Sequence, residues 1–392
     1  DHRSVLQAPT MLSIVLAILA AAVPYWLLPA TWRREVLTIV SLVVLTWIDW
    51  RVGLMLVGAT LAVVALTRGG AARNLTALVV LIGTALLFVV NKLAGGNAVL
   101  PGQSGVALLG TSFLVLKVAA VALDARQGAT TSAPPRALAA WLAFLPTYTA
   151  GPIEDVDHFC SQQPRFDRAR CLGGLERILF GLVKALLVAT YLGQWSDPVL
   201  KDASAHAVWA RWAAVYGATL RIYFDFAGYS DIAIGLGAVY GYDIAENFDR
   251  PLQRRNLVLL WQHWHMTLTR WLRTYLFVPS MRAARRRGIS TTAAAVVGQL
   301  VAMTACGLWH GLSPAFALWG FLQALGLIWV GLVARPLGAR TLPAVWLGWW
   351  RSSAVAALAS TVLTVTLFAL SNLLLYRDMR GAVAYIVGLH PW

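Results

Sequence analysis

Long apolar runs alternate with short polar segments along almost the whole chain. Ten runs reach or approach the ~20 residues that a helix needs to cross a ~30 Å hydrocarbon core. They cover 11–30, 35–48, 52–67, 75–94, 106–124, 172–194, 205–227, 291–310, 314–334 and 345–375. Three further apolar pieces are too short to cross untilted and suit re-entrant or partly inserted helices: 137–150, 229–242 and 381–389. The pattern predicts an all-α polytopic membrane protein with about ten or eleven transmembrane helices plus re-entrant or interfacial helices.

Composition agrees with that class. The 392 residues are 59% hydrophobic and 12% charged, and the charged share is about half that of a soluble globular domain. Because apolar runs are spread over the whole length, we expect a single membrane-embedded domain over 1–392. The chain starts at Asp1 without a signal-peptide pattern, so we expect a few initiating residues to precede it.

Basic residues predict the orientation in the membrane. The net charge is +15, and the cations cluster at 33–34, 68–73, 126–136, 165–177, 250–255, 282–287 and 335–340. Loops rich in Lys and Arg stay in the cytoplasm, so we expect these clusters inside the cell and the N-terminus outside. The alternation requires that 137–150 and 229–285 do not fully cross, and it places His310 toward the exterior.

Several protein classes lose support from the sequence. Nucleic-acid binding would need a basic surface with aromatic platforms or a known module, and the sequence has neither. Anionic headgroups and phosphorylated carriers fit the positive charge better. The three cysteines, Cys160, Cys171 and Cys306, have no disulfide spacing. Zinc-type His/Glu spacing, phosphate-binding glycine loops and the serine-hydrolase elbow are missing, which disfavours metal hydrolases, nucleotide hydrolases and nucleotide-dependent oxidoreductases.

Ionisable residues inside apolar sequence are concentrated between Arg221 and His310. A central Asp or Arg costs roughly 2.5–3.5 kcal/mol in a membrane, so such residues are candidates for function. Arg221 and Asp225 lie one helical turn apart and can pair. Asp231 follows a Gly-Tyr-Ser break, from which it can cap the next short helix or face a cavity. Structural pairing is the alternative for all three.

His310 is the first candidate for acid–base chemistry. It ends a long apolar helix, where burial favours a neutral imidazole that can accept a proton. A hydrogen-bonded core histidine is the alternative. Cys306 lies one turn earlier on the same face, which permits a nucleophile and base pair, although a packing role suits this small side chain better. Glu154 and Asn247 are further polar groups beside breaks in the helical pattern.

The stretch 261–275 carries an apolar stripe at three- and four-residue steps. Its members are Trp261, Trp264, Leu268, Trp271, Leu272 and Tyr275. The spacing predicts one interfacial helix, since Trp and Tyr favour headgroup depth. His265 lies beside the stripe. His263 is nearly opposite on such a helix, so the two histidines can share a metal only if the backbone is irregular.

Four segments, in chain order, carry a family resemblance. They are 144–154 (Phe-Leu-Pro-Thr-Tyr-Thr-Ala-Gly-Pro-Ile-Glu), 223–235 (Tyr-Phe-Asp-Phe-Ala-Gly-Tyr-Ser-Asp-Ile-Ala-Ile-Gly), 246–251 (Glu-Asn-Phe-Asp-Arg-Pro) leading to 261–269 (Trp-Gln-His-Trp-His-Met-Thr-Leu-Thr), and 308–311 (Leu-Trp-His-Gly). Together they resemble the membrane-bound O-acyltransferases, in the bacterial branch of alginate O-acetylation and D-alanyl teichoic-acid transfer. The resemblance covers about 106–325. We therefore expect peripheral helices in 1–105, a catalytic core in 106–325 and C-terminal helices in 326–392.

The resemblance implies a bowl-like fold with a thin centre and a tunnel from the cytoplasm to an exterior funnel. It also implies that His310 is catalytic and that His265 lies on the cytoplasmic path. We take both as catalytic candidates. The substrate-binding candidates combine the polar groups above with neighbouring aromatics and cations: Asn247, Asp225, Asp231, Arg221, Glu154, Trp264, Trp309, Arg254 and Arg255.

The predicted function is transfer of a small acyl group, acetyl-like or aminoacyl, from a cytoplasmic thioester to a hydroxyl on an extracytoplasmic acceptor. The donor would be acyl-coenzyme A or a carrier-protein phosphopantetheine thioester, with no bound cofactor. The acceptor would be a cell-surface polysaccharide or teichoic acid, and the location a bacterial cytoplasmic membrane. Two alternatives stay open. One is a transporter or channel for an acylated lipid or amphiphile. The other is a subunit that relays the acyl group to a separate periplasmic transferase.

The chain departs from the family pattern at several points. Positions 262 and 263 are Gln and His where relatives commonly carry basic residues. Gln323 stands where relatives often have another histidine, and Pro314 follows Trp-His-Gly unusually closely. The chain stops soon after 390, where many relatives continue. The acyl group and the acceptor are therefore left open by the residues.

Overall fold

The computed structural model describes residues 8–68, 72–94, 110–129, 131–334 and 352–389. Every regular element within those ranges is helical, which confirms the all-α prediction. Three sequence-based predictions lie outside the described residues in whole or in part. They are the basic cluster at 335–340 and the beginnings of the predicted helices 106–124 and 345–375.

The described α-helices have the following bounds: α1 Ala8–Leu27, α2 Ala30–Ile48, α3 Trp50–Thr67, α4 Arg73–Ala94, α5 Thr111–Arg126, α6 Pro135–Ala143, α7 Leu145–Tyr148, α8 Val156–Ser161, α9 Arg168–Leu182, α10 Ala189–Lys201, α11 Val208–Val239, α12 Leu257–His263, α13 Met266–Leu272, α14 Val278–Arg286, α15 Thr291–His310, α16 Pro314–Ile328, α17 Ala354–Tyr376 and α18 Met379–Val387. Wider π-helical turns occupy Val183–Val188, Arg273–Phe277 and Trp329–Ala334. A 3₁₀ turn covers Pro251–Gln253.

Within the described ranges, five helices are long and apolar enough to cross a membrane: Trp50–Thr67, Arg73–Ala94, Thr291–His310, Pro314–Gly331 and Ala354–Tyr376. Many large apolar side chains on these helices point away from the protein, as expected where lipid replaces water as the solvent. The chain is a multi-pass membrane protein, as its apolar runs predict. The count of ten or eleven crossings and the bowl with a central tunnel stay predictions.

The chain divides into two compact units. The first comprises residues 1–188 and 224–246, and the second comprises 189–223 and 247–392. Helix α11 contributes its C-terminal part to the first unit and its N-terminal part to the second. The single membrane-embedded domain over 1–392 and its division at 105 and 325 stay predictions.

In the first unit, α9 crosses the C-terminal part of α11 at two glycine contacts. A Cβ on Gly174 would lie 2.7 Å from the carbonyl oxygen of Gly235, and one on Gly181 would lie 2.6 Å from that of Gly228. Small residues allow such close backbone approach between membrane helices. The predicted break at Gly-Tyr-Ser is wrong, because α11 runs continuously from Val208 to Val239. The packed neighbour compensates for the weak helix propensity of these residues.

An ion network lies beside this crossing. Asp231 accepts hydrogen bonds from Arg177 Nε at 2.9 Å and from Lys184 Nζ at 2.6 Å. Arg177 also donates to both carboxylate oxygens of Glu246, at 2.5 and 2.6 Å. Two cations thus neutralise two carboxylates. Asp231 does not cap a new short helix, because its position is inside α11. Its contacts are those of the alternative, structural pairing.

The segment after α11 is extended and is held at two points within the first unit. Gln162 exchanges two hydrogen bonds with the backbone of Asp243, at 2.9 and 2.6 Å. The backbone N–H of Ala245 donates to Glu154 Oε1 at 2.6 Å. The chain therefore leaves this unit in a fixed conformation.

In the second unit, α15 and α16 pack against each other through a pair of glycines. A Cβ on Gly307 would run into the carbonyl oxygen of Phe316, and one on Gly320 into that of Met303. Pro314 is the first residue of α16, a position where its missing N–H costs nothing. The short interval between Trp-His-Gly and Pro314 therefore gives a tight turn between the two helices.

The predicted single helix over 261–275 is wrong. It is interrupted at Trp264 and His265, which separate α12 from α13. The interruption has a tertiary cause, since the backbone N–H of Met266 donates to the carbonyl oxygen of Asn247 at 2.9 Å and not to a preceding turn.

Candidate active site

His265 has an unusual backbone conformation. Its φ of 43° and ψ of 54° lie in the left-handed region, which residues other than glycine rarely adopt. The backbone on both sides is fixed, because Asp249 N–H donates to the His263 carbonyl oxygen at 3.0 Å and Met266 N–H donates to Asn247. Strained conformations of this kind persist where the surroundings determine them, often at functional sites.

Asn247 is the side chain around which this bend forms. Its Oδ1 lies 3.0 Å from His265 Nδ1, 3.0 Å from Thr267 Oγ1 and 3.4 Å from the backbone nitrogen of Thr267. Asn247 has 0% exposure, and His265 and Thr267 each have 2%. A buried amide with three donors around one oxygen fixes all of these groups in place.

His310 is the last residue of α15 and is half-buried. Its ring centroid lies 4.8 Å from that of Trp309 and 5.4 Å from that of Trp319, both in edge-to-face geometry. Trp309 also lies 6.3 Å from the His265 ring, centroid to centroid. Trp309 therefore connects the two histidines. A helix C-terminus favours positive charge by about 0.3–1 kcal/mol, which suits an imidazole that takes up a proton.

The aromatic surroundings of this pair are held by hydrogen bonds. Trp319 Nε1–H donates to Asn372 Oδ1 at 3.1 Å, and Trp261 Nε1–H donates to Gln323 Oε1 at 3.0 Å. Gln323 in turn donates to Ser371 Oγ at 2.7 Å. Gln323, which stands where relatives often have a histidine, thus has a structural role, because its amide links α12 to α17 within the second unit.

The electrostatics favour a neutral His265. Burial, and then the charge of His310, lower the pKa of His265 well below its usual value. An uncharged imidazole beside a second imidazole, among tryptophans, is an arrangement that can accept and return a proton. The structure therefore brings together His265, His310, Asn247 and Trp309 of the predicted site.

Trp264 serves as packing for this region. Its ring lies 5.3 Å from that of Phe248, 5.2 Å from that of Phe368 and 6.0 Å from that of Tyr223. Its position next to His265 keeps the bend apolar on one side.

The two arginines near the site, Arg254 and Arg255, differ in their surroundings. Arg254 Nη2 donates to the backbone oxygen and to Oδ2 of Asp249, at 2.8 and 2.7 Å, whereas Arg255 is exposed. His263 Nδ1 lies 2.7 Å from the Leu259 carbonyl oxygen, so His263 and His265 contact different partners. Within the described part of the chain, no group of three His, Cys, Asp or Glu side chains could hold a metal ion.

Other predicted site residues have partners of their own. In the first unit, Glu154 contacts Ala245 and lies 3.0 Å from His158 Nδ1, and Asp231 belongs to the ion network. In the second unit, Arg221 Nη1 donates to Asp197 Oδ1 at 2.6 Å. Asp225 lies one turn further along α11 and is partly buried.

Several contributing residues were missed by the sequence reasoning. Asp197 is 24 residues from Arg221, and no local pattern connects them. Thr267 and Trp319 also carry no distinctive signal. Lys184 carries a signal that could have been used, because it is the one charged residue between Arg177 and Asp197 in an apolar run. Cys306 is fully buried on α15, as a packing residue would be.

The fold is that of an all-helical, multi-pass membrane protein, and two histidines that contact the same tryptophan lie at the end of one spanning helix. The sequence model of the membrane-bound O-acyltransferase family, MBOAT, matches residues 31–359, so this chain belongs to that family. The family resemblance predicted from four segments is confirmed.

Curated relatives align with about half of the chain. It is 32% identical over 224 residues to the probable alginate O-acetylase AlgI of Azotobacter vinelandii, covering 54% of this chain and 42% of that protein. It is 26% identical over 233 residues to the teichoic acid D-alanyltransferase of Bacillus subtilis, covering 57% and 59%. It is 28% identical over 194 residues to the peptidoglycan O-acetyltransferase of Helicobacter pylori, covering 48% and 36%. The chain thus spans about half the length of these relatives.

Proposed function

We propose that this protein is an O-acyltransferase that moves a small acyl group from a thioester to a hydroxyl, with His310 as the general base. The observation that carries the proposal is the His265–Trp309–His310 cluster at the end of α15, in a chain of the O-acyltransferase family. The relatives named as an alginate O-acetylase and a peptidoglycan O-acetyltransferase support a cell-envelope hydroxyl as the acceptor.

The chemistry requires one base and an activated donor. His310 takes the proton of the acceptor hydroxyl as its oxygen attacks the thioester carbonyl carbon, so that the new C–O bond forms. The C–S bond then breaks, and the departing thiolate receives the proton from the imidazolium. No electrons are exchanged, and the energy comes from the thioester. A positioned general base contributes typically about 10²–10⁴-fold to such a step.

The surroundings of His310 favour a small acyl group. Trp309 and Trp319 contact its ring edge-to-face, and hydrogen bonds fix the second indole. Two bulky indoles beside the proposed base are the reason for preferring a small acyl group to a long chain. Acetyl-like and aminoacyl groups fit this description, and both occur in the names of the relatives.

The donor and the orientation follow from charge. Exposed cations in the second unit, Arg255, Arg270 and Arg273, supply partners for the phosphates of coenzyme A or phosphopantetheine. The positive-inside rule places the basic loops in the cytoplasm of a bacterial cell and the N-terminus outside. The thioester would then arrive from within the cell and the hydroxyl acceptor from outside.

The test uses purified protein in proteoliposomes with [¹⁴C]acetyl-coenzyme A and unacetylated polymannuronate. We expect labelled ester on the polysaccharide, and at least about a 100-fold loss of this transfer in His310→Ala at normal expression. His263→Ala is the matched control, because it removes an imidazole near the site that does not contact Asn247. Its transfer rate should stay close to that of the wild type.

Two results would overturn this proposal. Near-normal transfer in His310→Ala would remove His310 from the reaction. A wild-type protein that carries label across the vesicle membrane without forming any ester would instead be a transporter, or a subunit that relays the acyl group to a separate transferase.

A further inference from the structure

The hydrogen bonds around Asn247 determine which nitrogen of His265 carries the proton. A backbone N–H can only donate, so the atom of Asn247 that faces Thr267 N at 3.4 Å is the amide oxygen and not the NH₂ group. The Thr267 hydroxyl, 3.0 Å from the same atom, donates to it as well. Because that oxygen has no hydrogen, the 3.0 Å contact with His265 Nδ1 exists only if Nδ1 carries one.

We infer that Asn247 is a positioning residue that holds His265 as the tautomer with hydrogen on Nδ1 and a lone pair on Nε2. The tautomer follows from geometry, since the backbone N–H of Thr267, which a Thr267→Val variant keeps, sets the amide orientation, and the bend at His265 sets the Nδ1 bond. Fixing a tautomer through the hydrogen bond at the other ring nitrogen is a general means of assigning a histidine its role.

The assigned tautomer limits what His265 can do in acyl transfer, and this step rests on the proposed function. A neutral His265 accepts a hydrogen bond at Nε2 and has no hydrogen there to donate to a developing oxyanion. Its partner must therefore be an N–H or O–H group. The His310 imidazole and the amides of a phosphopantetheine thioester can both supply such an N–H group. His265 orients a donor group, and His310 is left as the base.

The direct test reads the tautomer without any turnover. Protein with ¹⁵N-labelled histidine in lipid nanodiscs is measured by solid-state NMR at pH 7.5, and the His265 signal is assigned by its loss in His265→Gln. We expect a protonated Nδ1 and an unprotonated Nε2. In Asn247→Ala, the signals should shift toward the other tautomer or a mixture. Thr267→Val, which removes a different donor to the same oxygen, should leave them unchanged.

A second test asks which nitrogen matters for the reaction. A glutamine at 265 can place an amide oxygen near the position of Nε2, whereas an asparagine reaches only that of Nδ1. We expect His265→Gln to retain at least 10-fold more transfer activity than His265→Asn. The two variants carry the same amide group at different reach, and similar unfolding midpoints for both would exclude a difference in packing as the cause.

A third test uses the pH profile. Asn247→Asp keeps an acceptor for all three donors but adds a charge that favours imidazolium at His265, whose ionisable neighbour is His310. The acid limb of the activity profile should move to higher pH, while Thr267→Val keeps the wild-type profile. If Asn247 only stabilised the fold, both variants would lower activity without moving the limb.

The outcomes separate the two proposals. Hydrogen on Nε2 in the wild type, or an unchanged tautomer in Asn247→Ala, would overturn the inference whether or not the protein transfers acetyl groups. If Asn247→Ala does not fold, the wild-type spectrum and Asn247→Asp decide the question. A protein that has the assigned tautomer but forms no ester would instead contradict the proposed function.

Discussion

Glu154 is a carboxylate that the fold places almost wholly out of contact with solvent. It has 2% exposure and accepts a hydrogen bond from Ala245 N–H, and its other oxygen lies 3.0 Å from His158 Nδ1. Burial raises the pKa of Glu154, more than its hydrogen bonds and the nearby cations lower it. The folded state therefore disfavours the ionised form, and these contacts hold Glu154 in place, while its predicted role in substrate binding stays a prediction.

The sign of this effect gives a prediction for Glu154→Gln. A folded-state pKa above the unfolded one means that the stabilising contribution is present below the unfolded value and is lost as pH rises through the folded value. Glutamine keeps an acceptor for Ala245 and does not ionise. At pH 7.5 we expect an unfolding midpoint about 2–4 °C above the wild type, the change that ~1 kcal/mol produces in a domain of 150–250 residues.

The difference between Glu154→Gln and the wild type should shrink as the pH falls toward 4. Thermal unfolding in nanodiscs measures it, with Glu176→Gln, an exposed carboxylate of the same unit, as the control. A lower midpoint at pH 7.5 would contradict the assigned sign. Loss of acyl transfer in a stable Glu154→Gln protein would support the predicted role of Glu154 in substrate binding.

His265 illustrates how a single residue can oppose its local pattern. The spacing of Trp261, Trp264 and Leu268 favours a continuous helix, yet the chain bends at His265. A left-handed non-glycine residue costs on the order of 1–3 kcal/mol. Bonds from Asn247, 18 residues earlier in the chain, offset that cost. Sequence reasoning could select both residues as candidates, but it could not anticipate that one bends the backbone at the other.

At the scale of elements, close helix pairs position the polar groups in each unit. Glycines allow α9 to approach α11 where Asp231 meets its cations, and allow α15 to approach α16 one turn before His310. The second contact sets the distance between His310 and Trp319, because Trp319 precedes Gly320 on the facing helix. Packing at these glycines therefore determines the geometry of the candidate site.

Gly307→Ala and Gly320→Ala test this dependence. Each added methyl group would meet a backbone carbonyl oxygen of the neighbouring helix, and such overpacking typically costs about 1–3 kcal/mol. We expect a lower unfolding midpoint and reduced acyl transfer for both variants. Gly83→Ala is the control, since a Cβ there meets nothing within 4 Å and alanine favours a helix interior by roughly 0.5–1 kcal/mol.

One result would contradict the dependence of the His310–Trp319 contact on this glycine packing. If Gly320→Ala has wild-type stability and transfer rate, the two helices tolerate separation and their crossing does not fix the His310–Trp319 contact.

At the scale of the whole molecule, the length of the apolar helices determines which segments can cross the membrane, and the charge of the loops predicts their orientation. Five helices of the described residues can cross a bilayer, and the basic loops are expected on the cytoplasmic side. Native cysteines offer a probe, because Cys171 on α9 is partly exposed within the basic stretch 165–177, whereas Cys160 and Cys306 are buried.

Thiol labelling tests the orientation. A membrane-impermeant maleimide should label Cys171 in inverted vesicles and not in intact spheroplasts. In a Cys171→Ser background, Ala205→Cys, at an exposed position after α10, should show the opposite pattern. The buried Cys160 should stay unlabelled in both preparations. Labelling of Cys171 from outside intact cells would reverse the proposed orientation.

The sequence by itself determined the all-helical membrane class of this protein and its family. Apolar runs of membrane length, a low charged fraction and four ordered motifs are local properties, and each is readable without coordinates. The apolar surroundings of His310 and the family resemblance at His265 and Asn247 also made these residues candidates for the site.

Only the tertiary structure decided how those residues are arranged. The bend at His265, the continuity of α11 through Gly228 and the pairing of Arg221 with Asp197 all depend on neighbours distant in sequence. Helix propensities differ by less than about 1 kcal/mol per residue, whereas a buried donor or acceptor left without a partner costs about 1–3 kcal/mol. Long-range hydrogen bonds and close packing therefore override the local preference at the positions where this chain is bent, paired or crossed.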